Sequence, residues 1–88
     1  MNKISKFFKN KTIIITGHTG FKGTWLTLWL KLLGAKVVGI SKDLPTKPSM
    51  FEEINLKKKI KHIKLDLKNL NKLKKIFIRY KPDIVFHL

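Results

Sequence analysis

At 88 residues, 43% hydrophobic and 10% aromatic, the chain has enough apolar material for one small globular domain with a modest core and too much for a disordered segment. It has no cysteine, which excludes a disulfide framework, thiol chemistry and a cysteine-ligated metal, and suits a cytosolic protein. Twenty Lys and Arg against five Asp and Glu give a formal charge of +15, yet the lysines are scattered and there is one arginine, so a dedicated nucleic-acid reader is not expected and solvated lysine-rich faces are.

The chain opens on a basic stretch, residues 1–11, followed only by Ile13, Ile14 and Ile15 before Gly17. That apolar run is too short for a signal peptide. The spacing predicts a first strand over residues 11–16, then the turn Thr16-Gly17-His18-Thr19-Gly20-Phe21-Lys22-Gly23, then a helix over residues 21–33. In that helix Phe21, Trp25, Leu26, Leu28, Trp29, Leu30, Leu32 and Leu33 leave Thr24, Thr27 and Lys31 as a narrow polar stripe. A helix apolar over so much of its circumference is expected to be buried on several sides. It carries Lys22 and Lys31 and is shorter than the roughly 20 residues that cross a bilayer, so no membrane placement is expected.

Gly34 reads as the stop of this helix, and residues 36–40 as the second strand. Pro45 and Pro48 make the next segment a loop, and Ser49 with Glu52 has capping-box spacing for a short helix through Leu56. A third strand is expected over residues 60–65. Leu70, Leu73, Ile76, Phe77 and Tyr80 recur at helical intervals behind a possible Asn69 cap, and Pro82-Asp83 turns the chain into a fourth strand over residues 84–86.

Strands alternating with helices imply a parallel α/β sheet with right-handed crossovers. The expectation is a partial doubly wound, Rossmann-like sheet of four strands in the order 3-2-1-4. The outer edge of the fourth strand would be unpaired, which points to an amino-terminal part of a larger dinucleotide-binding domain.

The glycine turn is the feature that carries chemistry. Gly17 can adopt backbone angles closed to other residues, Gly20 has no Cβ to hold a phosphate away from the main chain, and Gly23 allows close packing of helix on strand. Free N–H groups of the first helical turn and the positive end of the helix dipole then face an anion. The order strand, turn, helix, strand makes this a diphosphate-binding turn, although Gly-x-x-Gly-x-x-Gly differs from the Gly-x-Gly-x-x-Gly spacing of the common dinucleotide fingerprint.

Together with the Trp25 and Trp29 pair, Gly39-Ile40-Ser41, Pro45-Thr46-Lys47-Pro48, Leu65-Asp66-Leu67 and Pro82-Asp83-Ile84-Val85-Phe86-His87-Leu88, this turn resembles the opening of the CDP-glucose 4,6-dehydratases, a family of the extended short-chain dehydrogenase/reductase superfamily. The resemblance spans nearly the whole chain. It implies an NAD-dependent cytoplasmic enzyme, a homodimer at full length, that oxidises C4 of a nucleotide-linked glucose, CDP-glucose in this family, eliminates water across C5 and C6 and returns the hydride to C6. By position it assigns Gly17, Gly20 and Gly23 to the diphosphate turn, lined by Thr19, Phe21 and Lys22, and Asp66 with Leu67 to the adenine.

Strand two departs from the simple NAD pattern. The acid that binds the ribose hydroxyls is expected at its tip, where Ser41, Lys42 and Asp43 stand. Ser41 can hydrogen-bond a hydroxyl, Asp43 can reach from the loop, and Lys42 would tolerate a 2′-phosphate, so these residues alone leave NAD and NADP open. The superfamily's catalytic Tyr-x-x-x-Lys pair is absent: the one tyrosine, Tyr80, has Ile84 four places on. No catalytic or metal-binding residue is assigned, and His18, His62 and His87 show no ligand spacing. Other readings are a related epimerase or reductase acting on nucleotide sugars, or a non-catalytic NAD(P)-binding module.

Overall fold

The computed structural model describes residues 3–42 and 60–88. The expected loop at Pro45 and Pro48, the short helix after Ser49 and Asp43 lie outside them. The elements are α1 (Lys3–Phe8), β1 (Thr12–Thr16), α2 (Phe21–Leu32), β2 (Lys36–Ser41), β3 (Lys61–Lys64), α3 (Leu70–Tyr80) and β4 (Ile84–His87). The four strands form one sheet in the order β3-β2-β1-β4, with every neighbouring pair parallel. Both the order and the direction agree with the sequence expectation.

Burial follows from strand alternation between two faces. On one face Ile13, Ile15, Val37, Ala35 and Leu30 form a core against α2, with Phe8, Leu26, Ile84 and Phe86 packed around it. On the other, Ile14, Val38, Ile40 and Leu65 meet Leu73, Ile76, Phe77 and Tyr80 of α3. Ile13, Ile14 and Ile15 are all fully buried, as a central parallel strand covered on both faces requires.

Three details fix the ends of the elements. The Asn69 side chain accepts a hydrogen bond from the Lys72 N–H at 3.2 Å and caps α3 as expected. Gly34, at φ +91°, ends the chain's exit from α2 in the left-handed conformation that favours glycine. Asp83 ties the start of β4 to β1 twice: its N–H donates to the Thr12 carbonyl at 2.7 Å and its carboxylate accepts from the Thr12 N–H at 2.8 Å.

The expected burial of α2 is corrected by the structure. Trp25 and Trp29 are each 53% exposed and Leu32 is 74% exposed, whereas Thr24 and Thr27 are fully buried. The inward face is the one with small side chains, Gly23, Thr24 and Thr27, continued by Leu30. Its hydroxyls find partners inside the helix and the turn: Thr24 Oγ1 donates to the His18 carbonyl at 3.0 Å and Thr27 Oγ1 to the Gly23 carbonyl at 2.7 Å. A buried threonine satisfied in this way carries no orphaned polar group, and its small volume lets the helix axis approach the sheet. The short basic helix α1, at the chain's opening, has no counterpart in the sequence reading. It seats Phe8 on the core, with Phe7 edge-on to Phe8 at 5.0 Å.

Candidate functional site: the glycine turn and the cleft beside it

The turn leaves β1 at the carboxyl edge of the sheet, between the tips of β2 and β4. Gly17 takes φ +77°, and its N–H donates to the Ile40 carbonyl at 2.9 Å. A side chain there would be strained by the backbone angle, and its Cβ would also come to 3.0 Å from the Leu88 carbonyl oxygen. At Gly23 the reason for glycine is steric. A Cβ would lie 2.4 Å from the Gly17 oxygen and 2.8 Å from His18 Cα, both main-chain atoms that cannot swing aside. Gly20 differs from both: its φ is −71°, and a Cβ would meet only the Gly17 oxygen, at an ordinary 3.7 Å. The space above it is open.

Gly20 is also the N-cap of α2, and that gives the turn its electrostatic character. With no side chain at the cap and no acidic residue in the first turn, nothing from the helix itself satisfies or neutralises its leading N–H groups. These groups and the dipole's positive end are left for an anion from outside.

Behind the turn, side chains lock it to the neighbouring strands. The hydroxyls of Thr19, which is buried, and Ser41, at the end of β2, share a hydrogen bond of 2.9 Å. The Thr16 hydroxyl and His87 Nδ1 share another across to β4. His18 is fully buried, and its Nε2 shares a 2.7 Å hydrogen bond with His62 Nδ1 on β3. To get there the His18 ring crosses β2 over Gly39, which pairs with His62 in the sheet register. A Cβ on Gly39 would lie 2.4 Å from His18 Cδ2. Burial, with the neighbouring His62 adding to it, lowers the His18 pKa from the ordinary 6.5 to about 4, so the ring is neutral at physiological pH.

From the turn a cleft of about 240 Å³ runs toward β3, lined by Gly17, Ser41, Lys42, Asp66 and Leu67. Asp66 holds its shape by accepting from the Lys68 N–H at 3.0 Å, and Lys42 Nζ lies 3.8 Å from its other oxygen. The Lys68 N–H holds the Asp66 carboxyl below the usual carboxylate range, with the Lys42 and Lys68 charges adding to it. A carboxylate has about four acceptor positions, so two contacts leave capacity for a further donor. Among the described residues no group of three or more His, Cys, Asp or Glu is placed to hold a metal ion. No helix among them is long and apolar enough to cross a bilayer.

Of the residues singled out in the sequence, Gly17, Ser41, Asp66 and Leu67 line one cleft, and Thr19 is joined to Ser41. Gly20, Phe21, Lys22 and Gly23 form the entry of α2, with Lys22 exposed. The links from His18 to His62 and from Thr24 to the turn were not foreseen. Gly39 inside a strand was the available signal, because an interior strand glycine marks a close approach by another group.

A parallel sheet in the order 3-2-1-4 with a glycine turn at the switch point, a bare helix N-terminus and a cleft between the first and third strands defines a nucleotide-binding α/β fold. Residues 13–88 match the NAD dependent epimerase/dehydratase family, and the chain belongs to it. It is 44% identical over 82 residues to the CDP-glucose 4,6-dehydratase of Salmonella typhimurium, covering 93% of this chain and 23% of that enzyme. An epimerase from the thermophilic methanogen Methanothermobacter thermautotrophicus superposes with a TM-score of 0.73 at 26% identity, over 96% of this chain and 24% of its own. A dehydrogenase crystal structure gives 0.69 at 25% identity, over 92% of this chain and 33% of its own. The chain thus spans about a quarter of the enzyme it matches in sequence. The family is NAD dependent, and its cofactor is NAD. The residues present fit it, with open space over Gly20, free helix N–H groups and a cleft ending in an acceptor.

Proposed function

We propose that residues 1–88 form the cofactor-holding, amino-terminal part of a nucleotide-sugar 4,6-dehydratase that acts on CDP-glucose. The observation that carries this reading is the 44% identity to such a dehydratase over 82 of the 88 residues, a span too long to miss the glycine turn. In this proposal the main chain at Gly17, Gly20 and Gly23 and the leading N–H groups of α2, with Thr19, Phe21 and Lys22 around them, hold the diphosphate. Ser41 takes a ribose hydroxyl, and its bond to Thr19 keeps turn and strand tip at a fixed separation. Asp66 accepts from the adenine amino group while Leu67 lies against the ring. Pairing of Lys42 with Asp66 draws that ammonium toward the adenine end, which supports NAD over a cofactor bearing a 2′-phosphate.

Bound NAD supplies a hydride acceptor that is restored within each cycle. The contribution of these residues is to bind and orient it, since the superfamily's Tyr-x-x-x-Lys pair is not among them. Localisation in the cytoplasm and assembly as a homodimer belong to the same proposal, by likeness to the family.

The test is turnover by the protein expressed from its complete reading frame, with CDP-glucose, UDP-glucose and dTDP-glucose offered separately. The proposal expects a 4-keto-6-deoxy sugar from CDP-glucose with no net consumption of NAD. A 4-epimer as product would transfer the protein to the epimerases of the same family, and NAD binding without turnover of any sugar would leave a cofactor-binding module.

A further inference from the structure

The sheet's other end holds a feature that the cofactor site does not use. A cleft of about 520 Å³ opens at the amino ends of the strands, with Lys36 at the start of β2, Lys61 at the start of β3, Lys31 in the last turn of α2 and Arg79 in the last turn of α3 around it. Val37 and the half-buried Tyr80 are part of its lining, and the Arg79 guanidinium lies 5.5 Å from the centre of the Tyr80 ring.

The last turns of α2 and α3 each contribute a cation to this lining, and a cation in a last turn is ordinarily explained by the dipole it offsets. The magnitudes do not balance. Two dipole ends amount to roughly one negative charge, against four full positive charges. Among the described residues none of the four cations has a carboxylate within ion-pair distance. Asp83, at this end of the sheet, accepts from the Thr12 N–H and keeps its negative charge, so the excess is roughly two positive charges. Four like charges around one cleft raise its potential and concentrate anions there.

We propose that this cleft is a second anion site that binds an oligophosphate, independently of the cofactor turn at the opposite edge of the sheet. The four cations take the phosphate chain, with Arg79 offering forked donors, and the Tyr80 ring provides a surface for a flat group attached to it.

The test is calorimetric titration of the full-length protein with inorganic tripolyphosphate, with NAD held at saturation so that the glycine turn is occupied. Wild type should bind one equivalent. The double substitution Lys36→Gln with Arg79→Gln should weaken that binding by about tenfold or more, as loss of two nearby charges implies. Lys72→Gln with Lys74→Gln removes the same charge from an exposed part of α3 and should change it less than about twofold. Equal losses in the two doubles, or no saturable binding, would overturn the proposal. So would tighter binding of single-stranded polynucleotide weakened by both doubles, which would mark a diffuse basic surface. Unchanged circular dichroism and thermal midpoints in the four-residue set keep misfolding separate from lost binding.

Discussion

The two helices that cover the sheet are attached to it by different means. α2 reaches its face through main-chain contact and buried hydroxyls: Gly23 against Gly17 and His18, Thr24 bonded to the His18 carbonyl, Thr27 bonded within the helix. α3 has no fully buried residue and rests on half-buried Leu73, Ile76, Phe77 and Tyr80. The first attachment tolerates almost no change in shape, while the second tolerates a good deal. The contrast suits the proposed function, in which α2 would aim its N-terminus at a fixed point above Gly20 while α3 only has to cover an apolar face.

The sharpest way to break this contrast is Gly23→Ala. The added methyl meets two main-chain atoms at under 3.0 Å, so turn and helix must separate, and the protein should lose on the order of 3 kcal/mol or fail to fold. Lys74→Ala on the exposed side of α3 should stay within about 0.5 kcal/mol. Urea midpoints of the two variants measure the difference, and a Gly23→Ala protein as stable as Lys74→Ala would refute the tight attachment.

The next effect is set by pH. His18 is neutral when folded, with its pKa lowered to about 4, and ordinary when unfolded, near 6.5. Between those values the unfolded chain binds the extra proton, so stability rises with pH; the contribution is complete above about pH 6.5 and is lost as pH falls toward 4. It amounts to about 3 kcal/mol at most. Protonation of both rings would also remove the acceptor that the bond between His18 and His62 needs. Denaturation midpoints across this range should fall in the wild type and fall much less in a His18→Asn variant. Equal slopes in both would place the titration elsewhere.

Thr27→Val is smaller still. It keeps the shape of the side chain and removes one buried hydrogen bond, so a loss of about 1 kcal/mol is expected, visible as a shift of a few degrees in Tm.

Much of this was legible in the sequence. The strand order, the helices that follow the glycine turn and Asn69, the sheet order, the Asn69 cap and the Gly34 stop each rest on local patterns that the fold obeys. The orientation of α2 was not legible, because a helix with tryptophans and leucines on most sides carries little directional signal and only the tertiary demand for close approach chooses the threonine face. Trp25 and Trp29 were expected inside and lie half outside. The His18 and His62 link spans 44 residues of sequence and had no local trace except Gly39. The helix α1 was missed because six residues with no acidic first turn and no buried side chain give propensity little to act on.

The central claim is that the main chain at Gly20 receives the diphosphate of NAD, and Gly20→Ala isolates it. The substitution fits the backbone, at φ −71°, and meets its nearest neighbour at 3.7 Å, so folding should be preserved to within a few degrees of Tm. Its methyl projects into the open space where the phosphate would come. NAD titrated into wild type and variant, in the full-length protein, should bind the variant about tenfold or more weakly. Equal affinity with equal Tm would show that the cofactor's phosphates lie elsewhere, and would contradict the account.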